Sequence, residues 1–380
     1  METIRPTTFD PNPSVPLAAE PAPAKPRRAG ATFTGNASDY FGIWIVNILL
    51  NIVTFGIYGA WAKVRTNQYM MGHTKVDGHA FKYLAQPLQL LKGRILAIAF
   101  FVGYMVLTSL NPGFVLPIML VMLFVSPWLI NQSMRFSMRM TSYRNVRFGF
   151  DGTYWGSLLN FVIFPVASMF TLYLALPAAL KKIDEYMIGN LRYGDKRFET
   201  TLSSGRYFRG GYTAVGVGIL VMLATLCVLF LTMATLGGLE GARDPAFTIG
   251  TSEYAPANLV LMGVSVIGYI LAFIVSQSVY QAFIRNHTFD NTAIAGVAEL
   301  ESNVDMRSFV TIGLTNALAL VCSLGLAYPW TRIRTAKYLA SVTAFTVQPG
   351  VDAVMDQYED GASSFADEAS ELFDMDLSFT

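Results

Sequence analysis

The chain has 380 residues, of which 53% are hydrophobic and only 14% are charged, whereas about 25% of the residues of a typical soluble domain are charged. A soluble core of this size could not bury so much apolar surface, so the composition excludes a purely soluble globular protein and indicates that lipid surrounds much of the chain. The net charge of +1 is uninformative as a sum, because basic and acidic residues occupy different parts of the chain.

The two terminal segments differ in composition from the rest. Residues 1–30 contain seven prolines and no apolar run, which predicts a disordered extension and not a signal peptide. Residues 350–380 contain Asp and Glu but no Lys or Arg, which predicts a disordered acidic tail that folds back on a basic surface or recruits a cytoplasmic partner. The membrane domain is predicted between them, over residues 31–345.

Seven apolar segments follow one another along this domain: Phe41–Trp61, Ile95–Leu110, Phe114–Leu129, Ser157–Leu180, Ala214–Leu239, Ala257–Tyr280 and Ser308–Trp330. A helix needs about 20 apolar residues to cross the hydrocarbon core of a bilayer. The second, third, fifth and sixth segments are uninterrupted and are predicted to be full spans, paired as helical hairpins within residues 94–135 and 210–285. The other three segments contain Asn, Gly or Pro, which weaken a helix.

The three interrupted segments belong to internal repeat units at residues 31–85, 148–200 and 301–345. Aligned without gaps, Phe33 of the first unit falls on Phe150 of the second, and Asn47 of the first falls on Asn316 of the third. We expect these two amides to hydrogen-bond to a neighbouring helix within the membrane. The alternative is that they line a hydrophilic path.

The first and third units end their apolar segments with the same pattern, Trp-x-basic-x-Arg-Thr-x-x-Tyr. The residues of the two copies are Trp61, Lys63, Arg65 and Tyr69, and Trp330, Arg332, Arg334 and Tyr338. Trp and Tyr favour the headgroup level of a membrane, where Lys and Arg meet anionic lipid. We therefore expect interfacial anchors. The alternative is a pocket for an anionic headgroup or solute, because the planar fork of arginine grips phosphate or carboxylate by two bonds.

Two dipeptides predict short β-hairpins. Asp77-Gly78 stands between alternating residues, and both of its positions suit the positive φ of a type I′ turn. Gly194-Asp195 predicts the equivalent hairpin in the second unit. The expected fold class is thus an all-α polytopic membrane protein with about seven hydrophobic segments and small cytoplasmic β-hairpins.

The distribution of basic residues discriminates between two topologies. If all seven segments cross, the 27 Lys and Arg residues divide almost equally between the two sides. If the three repeated segments enter and leave on one side, or lie at the interface, nearly all of them fall on that side. Since positive charge accumulates in the cytoplasm, the second topology is favoured. Seven crossing segments with an inverted repeat remain the alternative.

Motifs of enzymes and metal sites are missing from the sequence. It contains no P-loop, no His-Glu-x-x-His and no Gly-x-Ser-x-Gly, and no acidic residue lies within the seven segments. The three histidines, His73, His79 and His287, lack further ligands at suitable spacing. The sequence therefore predicts no catalytic residues, no metal site and no cofactor.

Several stretches resemble the YjgN family of bacterial inner-membrane proteins, a family of unknown function. They are VTFGIYGAWAKVRTNQYMMGHTKVDGHAFKY, its counterpart SLGLAYPWTRIRTAKY, RFGFDGTYW, and the Phe-x-Gly of Phe33 and Gly35. The resemblance covers residues 31 to 345 and implies a multi-pass inner-membrane location, but no activity or ligand. The second unit departs from the pattern, since Ala178 stands where the first unit has Trp61.

Three functions stay open, of which a membrane enzyme is the least favoured because the sequence shows no recognisable nucleophile or metal set. The repeats and interrupted segments are typical of a transporter or channel-like protein for a small or anionic solute. The basic aromatic ends and the acidic tail favour instead a non-catalytic scaffold or a protein that interacts with lipid headgroups. In every case we expect a bacterial inner-membrane protein with both termini in the cytoplasm. Its partners would be the bilayer and anionic headgroups, and not nucleic acid, and no oligomeric state is predicted.

Overall fold

A computed structural model describes residues 26–235, 255–348 and Val354. In these residues ten short β-strands alternate with helical hairpins. The strands are β1 (Arg27–Phe33), β2 (Thr74–Val76), β3 (His79–Tyr83), β4 (Thr141–Tyr143), β5 (Val146–Phe150), β6 (Leu191–Tyr193), β7 (Lys196–Thr200), β8 (Thr292–Ile294), β9 (Ala298–Ser302) and β10 (Thr343–Val347).

The ten strands form one closed antiparallel barrel in chain order. The barrel closes through β1, whose first half pairs with β10, with Arg27 opposite Val347. The second half of β1 pairs with β2, with Ala31 opposite Val76. The prediction of an all-α fold is therefore wrong, and the protein is a mixed α/β membrane protein. Since β1 begins at Arg27, residues 27–30 belong to the barrel and not to the predicted disordered extension.

Tight turns join the strands within each pair. Asp77 and Gly78 have φ of 49° and 76°, which confirms the predicted hairpin and its turn. The hairpin predicted at Gly194-Asp195 is also present, between β6 and β7. Arg144 and Asn145 make a third turn of this kind, with φ of 50° and 65°. No glycine marks that turn, so it was not foreseen from the sequence.

Helical hairpins connect the strand pairs, and all of them leave from one end of the barrel. They join β1 to β2, β3 to β4, β5 to β6, β7 to β8 and β9 to β10. Because neighbouring strands are antiparallel, every one of these connections starts and ends at the same rim, which we call the helical rim. The opposite rim, which we call the turn rim, carries the tight turns, the start of β1 and the end of β10.

Two of the hairpins are long. They consist of α3 (Pro87–Leu110) with α4 (Val115–Arg139), and of α8 (Ser204–Thr235) with α9 (Ala255–Asp290). These four helices are long and apolar enough to cross a membrane, which confirms the four predicted spans. Their apolar side chains are largely exposed, as expected for surfaces that face lipid. The end of the predicted span Ala214–Leu239 lies outside the described residues.

The three repeated segments are short hairpins. The first consists of α1 (Ala37–Val53) and α2 (Gly59–His73), and the third of α10 (Met306–Cys322) and α11 (Tyr328–Ser341). In the second, the first arm consists of α5 (Tyr154–Ser157), a π-helical turn (Leu158–Ile163) and α6 (Phe164–Met169), and the second arm is α7 (Leu176–Gly189). Each reverses direction at an apolar residue of positive φ, namely Phe55, Leu172 or Leu324. The side chains of these tip residues are 98%, 86% and 94% exposed. Each predicted segment thus contains a reversal and is not one continuous helix.

The first helix of each short hairpin begins at an N-cap in the same place of the repeat. The side chains of Asn36, Thr153 and Asp305 accept a hydrogen bond from a backbone N–H of the first turn, at 2.7, 3.2 and 2.8 Å respectively. Such caps satisfy an N–H that the helix start leaves without a partner. Aromatic and aliphatic side chains line the inside of the barrel, where Val354 packs beside Tyr193 and Val297.

Candidate functional site

The tyrosine of each basic aromatic pattern closes its own hairpin at the helical rim. The hydroxyl of Tyr69 donates to the carbonyl of Asn36 and accepts the N–H of the same residue, both at 2.9 Å. Tyr338 makes the same two bonds with Asp305, at 3.2 and 3.1 Å. These tyrosines therefore join the end of the second helix to the N-cap of the first, and we call each such contact a tyrosine clasp.

The second repeat unit has a clasp too. The hydroxyl of Tyr186 donates to the carbonyl of Thr153 at 2.9 Å. It also lies 2.7 Å from Asn131 Oδ1 of α4, while Ser157 donates to Asn131 at 2.8 Å. Burial raises the pKa of Tyr186. The second unit thus lacks the Trp but keeps the tyrosine, which it ties to a membrane-spanning helix.

The tryptophan and the second basic residue of each motif contact side chains of their own hairpin. In the first copy, Trp61 stacks on Tyr58, and Arg65 donates to the hydroxyl of Tyr58 at 3.0 Å. In the other copy, the guanidinium of Arg334 lies 5.0 Å from the ring centre of Trp330. These contacts hold each motif against its own hairpin. They fit the expected anchors, although the role of these residues in lipid contact stays a prediction.

Asn316 and Asn47 both reach the second helix of their hairpins. Asn316 donates to Thr335 at 3.0 Å and accepts from Arg334 at 3.1 Å. Asn47 donates to the carbonyl of Ala62 at 3.3 Å. Unlike Asn316, Asn47 leaves its Oδ1 atom buried without a partner among the described residues, and its side chain is only 6% exposed. A buried acceptor in this state suits a donor supplied by a ligand.

A cleft of about 770 Å³ lies beside Asn47, between α1, α2, α4, α11 and the helical rim. Lys63 and Arg332, which occupy the same position in the two copies of the motif, both line it. Stacking of Trp44 on Tyr328, with ring centres 6.0 Å apart, brings the two units together there. No carboxylate lines this cleft within the described residues. The cleft is therefore lined by two basic side chains and by one acceptor that has no partner among the described residues.

The inner end of the cleft adjoins a second cavity of about 510 Å³ inside the barrel. Side chains shared by both walls include Met70, Met71, Phe81, Phe148 and Phe198. The cleft is consequently amphipathic, polar and cationic between the helices and apolar towards the barrel. This combination suits an anionic amphiphile better than a small hydrated ion.

Sequence reasoning identified Lys63, Arg332 and Asn47 but did not predict that they line the same cleft. It missed Asn51 and Asn67, which add amides to the same wall. The spacing of four residues from Asn47 to Asn51 puts both on one face of α1 and was a usable signal. It also missed Arg285, which lines the barrel cavity. In the sequence, Arg285 is only the first charged residue after the apolar segment Ala257–Tyr280.

The histidines make local contacts. His73 bonds to the carbonyl of Tyr69, and His79 to the carbonyl of Asp77, both at 2.8 Å. His287 accepts the N–H of Ser203 at 2.9 Å. Across residues 26–235 and 255–348, no three His, Cys, Asp or Glu side chains are grouped as they would be to hold a metal ion.

Comparison with known families gives a match over nearly the whole chain. Residues 29–372 match the family described as bacterial protein of unknown function, DUF898. The chain belongs to the DUF898 family. No solved structure matches this DUF898 chain.

Curated relatives of this DUF898 protein carry the name inner membrane protein YjgN. The one from Salmonella typhimurium is 24% identical over 358 residues, which cover 85% of this chain and 89% of the relative. The one from Escherichia coli K12 is 30% identical over 122 residues, 31% of this chain and 30% of the relative. Together with the four candidate spans, these relatives place the DUF898 protein in the inner membrane.

Proposed function

We propose that this DUF898 protein binds an anionic phospholipid through its headgroup in the cleft at the helical rim. The observation that carries the proposal is that Lys63 and Arg332 line one cleft, whose wall contains no carboxylate among the described residues. A phosphate diester accepts charge-assisted hydrogen bonds from both Lys and Arg, which are stronger than bonds between neutral groups. Asn47 Oδ1, which is buried and has no partner in the part of the chain that the structure describes, supplies an acceptor for a headgroup hydroxyl. The function is thus recognition of a lipid and not catalysis.

The proposed membrane arrangement supports lipid access to this cleft. The barrel lies in the cytoplasm, the two long hairpins cross the bilayer, and the three short hairpins dip into it from the cytoplasmic side. Two facts support this arrangement: all hairpins leave from one rim, and the exposed tips are apolar. The helical rim then lies at the level of the cytoplasmic headgroups, where anionic lipid attracts basic residues.

Binding of a defined lipid to delipidated protein tests the proposal. We expect native mass spectrometry to show phosphatidylglycerol adducts in preference to phosphatidylcholine adducts. The double variant Lys63→Gln, Arg332→Gln should bind phosphatidylglycerol about a hundredfold more weakly or worse, because each of the two charge-assisted hydrogen bonds contributes about 1.5–3 kcal/mol.

A matched control is available on the same two helices. Arg65 and Lys337 are exposed and do not line the cleft. The variant Arg65→Gln, Lys337→Gln removes the same charge and should retain wild-type affinity. If both double variants lose affinity equally, the headgroups respond only to total charge and the cleft is not a specific site.

A further inference from the structure

The barrel cavity contains one feature that the lipid cleft does not explain, the guanidinium of Arg285. Arg285 lies near the end of α9 and lines the cavity at the helical rim. Its Nη2 donates to Thr343 Oγ1 at 3.0 Å, and its guanidinium carbon lies 4.2 Å from the ring centre of Phe289. The cation therefore faces the mouth of the barrel.

This cation lacks a compensating charge. Its Nε is buried without a partner, and no ion pair to Arg285 occurs within the described residues. By contrast, the exposed Arg28 is paired with Glu301 at 2.5 Å. A half-buried arginine that has no carboxylate to balance its charge destabilises the ligand-free protein. Its presence in the cavity points to a ligand that supplies the missing negative charge.

The rest of the cavity wall is apolar in character. Its hydroxyl groups already bond to the protein backbone: Tyr143 to Val76 at 2.9 Å, Tyr193 to Tyr143 at 3.0 Å, and Thr343 to Leu339 at 2.7 Å. The remaining surface consists mainly of aromatic and aliphatic side chains, including Phe33, Phe81, Phe148, Phe198, Ile294, Leu300 and Phe345. A ligand that extends from Arg285 into the barrel is thus surrounded mainly by apolar side chains.

The length and volume of the cavity set the size of that ligand. The wall runs from Thr343 at the helical rim to Val347, which pairs with Ala298 near the turn rim. Four residue steps along a strand span about 13 Å. At about 510 Å³, the cavity lies within the usual range of single small-molecule sites, about 300–1,000 Å³. It suits one alkyl chain and is too small for a two-chain phospholipid.

We propose that the barrel interior binds a single-chain carboxylate of the fatty-acid class. The carboxylate accepts bonds from the guanidinium of Arg285 at the helical rim, and the chain extends along the aromatic wall. Its methyl end stops beside Ala298, Tyr193 and Val354, which pack together near the turn rim. This site uses a different cation from the phospholipid cleft, so either proposal can fail while the other stands.

Dodecanoate binding to the delipidated full-length protein in detergent tests the site, with dodecanol as the uncharged analogue. Wild type should bind dodecanoate in preference to dodecanol by native mass spectrometry and by thermal shift. Arg285→Met should weaken dodecanoate binding about tenfold to a hundredfold, because a charge-assisted bidentate contact is lost. The variant Lys63→Gln, Arg332→Gln should bind dodecanoate like wild type.

The ligand-free stability of Arg285→Met separates a binding role from a structural one. Removal of an uncompensated buried cation should leave the melting temperature unchanged or raise it. A clearly lower melting temperature would show that the guanidinium holds the fold together and would overturn the proposal.

A second variant leaves Arg285 in place. Ala298→Leu fills the far end of the cavity, so affinity for tetradecanoate should fall more than affinity for decanoate. Equal affinity of wild type for dodecanoate and dodecanol, or a chain-length preference unchanged by Ala298→Leu, would each contradict the proposed site.

Discussion

The tyrosine clasps show how single residues set the geometry of the short hairpins. Tyr69, Tyr186 and Tyr338 occupy the same position in the three repeat units, and each bonds to the backbone of an N-cap residue. A helix start leaves backbone groups without partners. The phenol supplies one, and in doing so it joins the two helices of a hairpin at the point where they meet the barrel.

Removal of a clasp should destabilise the protein by a small, measurable amount. Tyr69→Phe and Tyr338→Phe each remove a hydroxyl that both donates and accepts, and each should lower the free energy of unfolding by about 0.5–1.5 kcal/mol. Thermal unfolding in detergent measures the effect. Tyr269→Phe is the control, since Tyr269 is 65% exposed on α9. Equal melting temperatures for all three variants would mean that the clasps contribute nothing.

Among the helical elements, the short hairpins differ from the spans in length. The helix α1 has 17 residues and α3 has 24, which correspond to about 26 Å and 36 Å. Both begin at the helical rim, so the tip of the short hairpin stops about 10 Å before the end of the long one. With a hydrocarbon core of about 30 Å, a tip such as Leu324 would remain within lipid.

Two substitutions at one tip residue test whether it lies in lipid. Leu324 has a φ of 52°, a conformation that glycine adopts without strain. Leu324→Gly should therefore insert and fold. Leu324→Asp places a charge at the same point, which costs about 2.5–3.5 kcal/mol inside a membrane, and should reduce the amount of folded protein in the membrane fraction. Equal yields of the two variants would show that the tip faces water.

At the scale of the whole molecule, the even number of crossings decides where the barrel lies. Every hairpin returns to the helical rim, so the barrel occupies a single side of the membrane if only α3, α4, α8 and α9 cross. The positive-inside rule predicts that this side is the cytoplasm; the side on which the barrel lies stays a prediction. The acidic tail, apart from Val354, lies outside the described residues.

Cysteine labelling from the periplasm tests this arrangement. With the free Cys227 and Cys322 replaced by alanine, a cysteine at Gly113 should react with a membrane-impermeant reagent in intact cells. Cysteines at Lys75 and Arg197 should react only after the inner membrane is permeabilised. Labelling of the Lys75 position from outside would instead place the barrel in the periplasm.

Local properties of the sequence were sufficient for several elements. The four spans follow from apolar length alone, because helix formation in lipid satisfies every backbone group within the segment. The turn at Asp77-Gly78 follows from the φ values that these residues tolerate. The motif tyrosines Tyr69 and Tyr338 also stand out in the aligned repeats. What remained unknown was which of these residues contact one another.

The barrel and both proposed sites depended on contacts between distant parts of the chain. The strands of the barrel have only three to seven residues, so the two hairpins predicted from their turn residues did not indicate that ten strands form one barrel. Closure pairs Arg27 with Val347, which no local signal predicts. Lys63 and Arg332 share a cleft only because the first and third units pack together there. Arg285 faces an apolar cavity only because the ten strands close into a barrel beside the end of α9. A helix is determined by its own residues, whereas a barrel and its interior exist only once strands from the whole chain have paired.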